Sequence, residues 1–218
     1  MARNIERDER EANRRKDQLM KAGFSLFSRY GIEAISLQKV ADAADVGAAT
    51  MYKYYQTKAK LVIAISGKVW GDVWQEALKQ SGADGFKNYT AYECIAFYAD
   101  LIIRLYRERP ELLKFSSNYK TFIRNEAVAE ELLKEHLDVL EPERMLFHRL
   151  YEMAKIDGSM RTDISEEKLF TTVSITMLSV AERYAQGIVW ADNHEDDHTQ
   201  ELIYLKEMML MWLSAKKQ

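Results

Sequence analysis

Between positions 48 and 54 the chain places Ala48, Ala49, Thr50, Tyr52, Lys53 and Tyr54 outward on, or along the edge of, one short helical pattern. Small, hydroxyl, aromatic and cationic side chains in this arrangement suit base edges and phosphates of a DNA major groove. A helix this short needs a second element to hold it. Ser36 is an N-cap residue ahead of Leu37, Val40, Ala41 and Ala44, which recur at i, i+3, i+4 and i+7 as one apolar face. Asp45 follows, where a tight turn between crossed helices needs a left-handed residue, a conformation open chiefly to Gly, Asn and Asp. Val46 and Met51 then pack back on Val40 and Ala41, and the small Ala41 lets the backbones come close. The stretch Ser36 to Lys60 therefore reads as a helix-turn-helix.

The flanking elements must position that pair. A first helix begins in the charged segment and carries Leu19, Ala22, Gly23, Leu26, Phe27 and Tyr30 on one face before stopping at Gly31. Arg3, Arg7, Arg10 and Arg14 share a face of it. They form either an arm along phosphates or a solvated surface supported by Glu6–Arg10 and Glu11–Arg15 pairs. Thr57 caps a long helix through Leu61, Val62, Ile65, Val69 and Trp70 that ends near Ser81 to Gly85. Lys58 and Lys60 in its first turn have the wrong sign for the helix dipole, which a nearby phosphate reverses, so Lys58 reads as a phosphate anchor. The charge is divided to match. Residues 1–60 hold 12 Lys or Arg against 8 Asp or Glu, and residues 61–218 hold 19 against 26, a basic head on an acidic body.

Composition narrows the class further. The 218 residues are 47% hydrophobic, with two prolines and nine glycines, which predicts long helices around a substantial core. Cys94 is the sole cysteine, so no internal disulfide forms; it reads as a small buried hydrophobe suited to a reducing cytoplasm. The amino terminus is polar, and no apolar run approaches the ~18 residues of a membrane span, so a cytoplasmic protein without a membrane partner is expected. Nucleophile-elbow, zinc-protease, phosphate-loop and dinucleotide-binding patterns do not occur, and neither an enzyme nor a cofactor is expected.

Beyond Asn88 the punctuation predicts helices over Tyr89 to Glu108, from Pro110, from a cap at Asn125 to about Leu140, and over Arg144 to Lys155 after a restart at Pro142. Asp157 and Gly158 close that helix. Ser165 caps another to about Gly187, and Thr199 to Ala215 makes the last. Leu202, Ile203, Leu205, Met208, Met209, Leu210, Met211, Trp212 and Leu213 are apolar nearly all round that last helix, more than one core-facing stripe explains. A second copy of the chain is the expected cover, the alternative being a terminal helix threaded through its own core. The helix from Ser165 joins in, and Leu178, Leu202, Leu205, Met209, Trp212 and Leu213 form the homodimer interface. Two heads on a two-fold axis would read a palindromic site. His194 and His198 have the spacing of metal ligands, but the surrounding Asp196, Asp197 and Thr199 read as an acidic helix start, and no metal is expected.

The head also resembles a known family. Ala22, Leu26-Phe27, Gly31, Val40-Ala41, Ala44 to Gly47, Ala49 to Tyr52, Tyr54-Tyr55, Thr57-Lys58 and Leu61 follow the spacing of the TetR-family DNA-binding domain over about forty positions without a gap. Asp45, Gly47 and Ala49 replace the turn Gly, the cap Ser and the Gly before Thr50 of that pattern. The resemblance implies an all-α fold of about nine helices. An N-terminal three-helix DNA-binding domain over residues 1–60 would precede a helical ligand-binding and dimerisation domain over 61–218. It implies double-stranded DNA contacts by Ser36, Gln38, Ala48, Thr50, Tyr52, Lys53, Tyr54 and Lys58. It also implies a small-molecule effector in a body cavity, for which Tyr92, Phe97, Tyr98, Phe115, Tyr119, Phe122, Phe147, Tyr151 and Met177 are candidate lining. Arg104, Arg124, His148 and Arg183 would suit an anion, Glu93 and Asp100 a cation. The function implied is a ligand-responsive homodimeric repressor. The alternative is a helical carrier or protein-interaction module whose helix-turn-helix is only structural.

Overall fold

With so few helix breakers, almost every segment closes its backbone hydrogen bonds locally. A computed structural model describes residues 2–80, 86–125, 130–187 and 197–214. The helices are α1 (Ala2–Tyr30), α2 (Leu37–Ala43), α3 (Ala48–Tyr55), α4 (Lys58–Gln80), α5 (Ala91–Glu108), α6 (Pro110–Asn125), α7 (Glu130–Asp157), α8 (Glu166–Phe170), α9 (Thr176–Ala185) and α10 (Thr199–Leu213). A π-helical turn, Thr171–Ile175, runs α8 into α9, so the described residues make nine separate helical rods and no strand. An isolated antiparallel bridge pairs Met160 with Ser214.

Two compact units share the chain: Met1–Gly71 with Asn118–Val139, and Asp72–Ser117 with Leu140–Gln218. In the first, Leu19, Phe27, Val40, Ala41, Met51, Leu61 and Ile65 are fully buried. Gly31 ends α1 at φ 82°, where its N–H reaches the Phe27 carbonyl at 3.1 Å. Gly23 lets α1 approach α4 closely, since a β-carbon there would lie 2.8 Å from Ile65 Cδ1. Asn118 Nδ2 adds a bond to the Phe27 carbonyl at 3.1 Å.

The second unit is organised on α5, which buries nine residues from Ala91 to Leu105 and packs against α9 and α10. Its start is unusually well tied. Thr90 and Glu93 cap each other reciprocally, Asp157 Oδ2 accepts from Ala91 N at 2.8 Å, and Ser159 Oγ accepts from Tyr92 N at 3.1 Å. Cys94 is buried, and burial followed by the nearby Glu93 and Asp157 charges pushes its thiol up to about 11, which suits the inert role expected of it.

Several expected boundaries move. The Thr90 capping box starts α5 at Ala91 rather than Tyr89. Asn125 is the last residue of α6, not the cap of the next helix. Pro142 does not restart the chain: α7 runs from Glu130 to Asp157 through it. Proline's fixed φ is compatible with a helix, so α7 continues through Pro142 although the missing N–H costs it one hydrogen bond, an interior proline costing about 3 kcal/mol. The expected helix end at Ser81 to Gly85, the final residue Ala215 and the His194 position lie outside the described residues.

Candidate functional site

The turn of the helix-turn-helix is built as its residues require. Asp45 adopts φ 52°, Asp45 N–H bonds the Asp42 carbonyl at 3.2 Å, and Val46 N–H bonds the Ala41 carbonyl at 3.0 Å. Ser36 caps α2, its Oγ accepting from Lys39 N at 3.2 Å. Gly47 begins α3 without any side-chain cap. Within α3 only Met51 and Tyr55 are buried, at an i,i+4 spacing that commits one face to the core. Tyr55 also donates to the Lys16 carbonyl at 3.5 Å, and burial, then the Asp17 charge, pushes its phenol up to about 12.

The remaining faces carry the expected contact set. Tyr52 is half exposed at 50%, Lys53 and Ala49 are exposed, and Ala48, Thr50 and Tyr54 are partly covered. Lys16 of α1 sits 5.5 Å above the Tyr54 ring, which orients that phenol and brings a second cation to the same side. Gln38 is exposed, but its Nε2 donates to Asp42 Oδ1 at 2.7 Å. Lys58 differs most from a bare phosphate anchor. Its ammonium donates to the Ile32 carbonyl at 2.9 Å and the Glu33 carbonyl at 3.2 Å, pinning the connection before α2.

Arg14, Arg15 and Gln18 of α1, with Asp45, Val46, Gly47 and Thr50, line a polar recess at the start of α3. Arg15 there is paired with Glu11, as its i,i+4 spacing predicts. The regular arginine spacing signals a face of α1; which arginine meets α3 depends on tertiary packing.

In the second unit an apolar cavity of about 380 Å³ is lined by Trp74, Phe86, Phe97, Tyr98, Phe147, Leu150 and Met153 among others. Trp74 stacks on Tyr98 with ring centres 6.0 Å apart, and Phe86 meets Phe97 edge-on at 5.1 Å. Arg149 is the one charged residue among the described residues of the wall. Of the candidates, Phe97, Tyr98 and Phe147 are brought to this cavity. Tyr92, Phe115, Tyr119, Phe122, Tyr151 and Met177 are not in its wall. Phe115, Tyr119, Phe122 and Met177 are core side chains, and Tyr151 turns its hydroxyl to the Ile164 and Thr162 carbonyls at 2.7 and 3.2 Å. Trp74, Phe86 and Arg149 were missed, because an aromatic facing a void and one facing a core have the same helical spacing.

Three of the candidate charges, Glu93, Asp100 and His148, are used otherwise. Glu93 belongs to the α5 cap, Asp100 pairs with Lys206 at 2.5 Å, and His148 Nδ1 lies 2.9 Å from Glu166 Oε2. Asp197 accepts from Thr199 N and Oγ1 at 3.0 and 2.6 Å, the expected helix-start role, while His198 stacks on Tyr184 at 4.4 Å.

The interface candidates divide in two. Leu178, Leu202, Met209 and Leu213 are buried within their own chain, because α9 and α10 turn those residues onto α5 and each other. Trp212 is exposed at 37% and Leu205 partly covered. The exposed large apolar residues of α10 are Tyr204, Met208, Met211 and Trp212, flanked by exposed Glu201 and Glu207, with Ile175 exposed in the π turn.

Residues 19–65 match the family described as bacterial regulatory proteins, tetR family. The HTH-type transcriptional repressor KstR of Mycolicibacterium smegmatis is 25% identical over 116 residues, 53% of this chain and 55% of that protein. The chain thus spans about half the length of the curated relatives it matches. The fold is that of the transcriptional regulator FadR from Bacillus subtilis in complex with stearoyl-CoA (TM-score 0.71, 13% identity, 90% of this chain and 98% of that one). It is also that of the fatty acid degradation regulator FadR from Bacillus halodurans (TM-score 0.69, 17% identity, 89% and 94%). No described helix is long and apolar enough to cross a membrane. With Asp45 turning α2 into an outward-facing α3 inside the matched segment, residues 19–65 form a helix-turn-helix segment similar to that of the tetR family of bacterial regulatory proteins.

Proposed function

We propose that the chain is a DNA-binding transcriptional repressor that acts as a homodimer on a palindromic operator and is released by a small amphiphilic anion. The observation that carries the reading is α3 itself: two residues bury, and Ala49, Tyr52 and Lys53 stand free of the core beside the basic surface of α1. Ala48 and Thr50 approach thymine methyls, and Lys53 and Lys16 approach phosphates. The recognition helix has no Arg for bidentate guanine contact, so DNA shape carries much of the specificity. A second copy covers Tyr204, Met208, Met211 and Trp212.

The effector follows from the cavity. A wall whose described residues are nearly all apolar, with Arg149 as the one cation among them, suits a hydrophobic body with one anionic group, and the Bacillus subtilis relative in fold was solved with stearoyl-CoA. Trp74 and Ala77 of the wall belong to α4, the helix that starts directly after α3. A ligand displacing that wall acts on a rod continuous with the reading head.

Gel-shift titration of the full chain against its own upstream region, in rising salt, tests this. A regulator binds tightly, with log affinity falling by about 0.9 per phosphate contact on log salt. Stearate, a hydrophobic chain with one carboxylate, should release the wild type and require a higher concentration for Arg149→Gln. No shift with any upstream fragment would favour a carrier or interaction module.

A further inference from the structure

His148, Glu152 and Glu166 lie apart from the cavity lining, on the side of α7 that meets the start of α8. One ligand atom from each falls within 4.8 Å of the others. We infer that these three side chains form a binding site for a borderline-soft divalent transition ion of the zinc class, stapling α7 to α8.

Three observations support it. His148 and Glu152 are i,i+4 neighbours on α7, the spacing at which two helical ligands converge on one ion. The third donor comes from another element and is already placed: His148 Nδ1 is 2.9 Å from Glu166 Oε2. Glu166 is also held there by something other than the cluster. The Tyr151 hydroxyl, from the α7 turn between the two ligands, donates to the Ile164 and Thr162 carbonyls and ties the segment leading into α8 onto α7. Outer support of this kind commonly fixes a metal ligand.

The cluster's chemistry selects the ion. One imidazole with two carboxylates suits zinc, cobalt or nickel over magnesium or calcium, which prefer all-oxygen shells. A cation is already used at its edge, since Lys155 donates to Glu152 Oε1 at 2.6 Å. Lys155 is therefore the competitor that a metal displaces. All three ligands are partly open to solvent, so an ion can enter and leave without local unfolding.

Calorimetric titration of the full-length, metal-free chain with Zn2+ should give one saturable site per chain, and Mg2+ none. His148→Ala and Glu166→Gln should each lose that site, whereas replacing both His194 and His198 with Ala should leave it. Lys155→Ala should tighten Zn2+ binding by roughly tenfold, on the scale of a changed metal environment. A simple α7–α8 ion pair predicts no gain there. Absence of a saturable site, or a site that survives His148→Ala in a variant whose circular dichroism matches wild type, overturns the assignment.

Discussion

Replacing Lys58 with Met tests whether this residue holds the reading head together or holds DNA. Methionine keeps the length and helix propensity of the side chain and removes its charge. The two bonds to the Ile32 and Glu33 carbonyls are both made by an ammonium, and bonds to charged groups contribute about 1.5–3 kcal/mol in total at a half-buried site. Against that, a cation in the first turn of α4 opposes the helix dipole by about 0.3–1 kcal/mol. The net expected loss is about 1–2 kcal/mol, which for a chain of this size lowers Tm by roughly 2–8 °C. Differential scanning calorimetry measures the loss. Salt-dependent DNA binding supplies the second axis: Lys53→Met should lose about 0.9 from the slope, and Lys58→Met should lose little of it. An unchanged Tm together with a full slope loss at Lys58 would refute the pinning role and restore a phosphate anchor.

Asp45 holds a left-handed backbone that costs an alanine about 1 kcal/mol, so Asp45→Ala should destabilise by about that amount and Asp45→Gly should not; equal urea midpoints would disprove it. Partial burial of Asp157 pushes its carboxyl up, but the bonds from Ser159 and Ala91 outweigh this and hold it below the usual range. The folded value lies below the unfolded one, so its contribution is present above about pH 4 and lost as pH falls through the folded value. Asp157→Asn should flatten that part of the acid limb in pH-dependent denaturation. Burial pushes the Tyr55 and Tyr119 phenols up to about 12 from 10.0. Their contribution is present below pH 10 and lost as pH rises through 12. Tyrosinate absorbance should show a late-ionising fraction that Tyr55→Phe reduces.

Local periodicity and capping made the head legible: the Ser36 cap, the turn at Asp45 and the burial of Val46 and Met51 all stand as the residues predict, whereas the burial of Tyr55 is a tertiary result. The features that stand are short-range, settled within one or two helical turns. The cavity was only partly legible. Phe97 and Phe122 have similar sequence signatures, yet the first faces a void and the second a core, a distinction set by how helices distant in sequence meet. The same reason hid the His148, Glu152 and Glu166 cluster, whose third member comes from the far side of a turn. Charge played a different part. Lys58 was visible as a misplaced cation, and tertiary structure answered it with two backbone carbonyls of its own chain.

Gly47 has a consequence for motion. A helix of eight residues with no side-chain cap and a glycine at its entrance is anchored chiefly by Met51 and Tyr55 in its middle and last turns. Amide hydrogens at Ala48 and Ala49 should therefore exchange with deuterium far faster than that of Met51. Bound phosphate oxygens at this helix start would slow them, so the surface that meets an operator would gain part of its order from the operator itself.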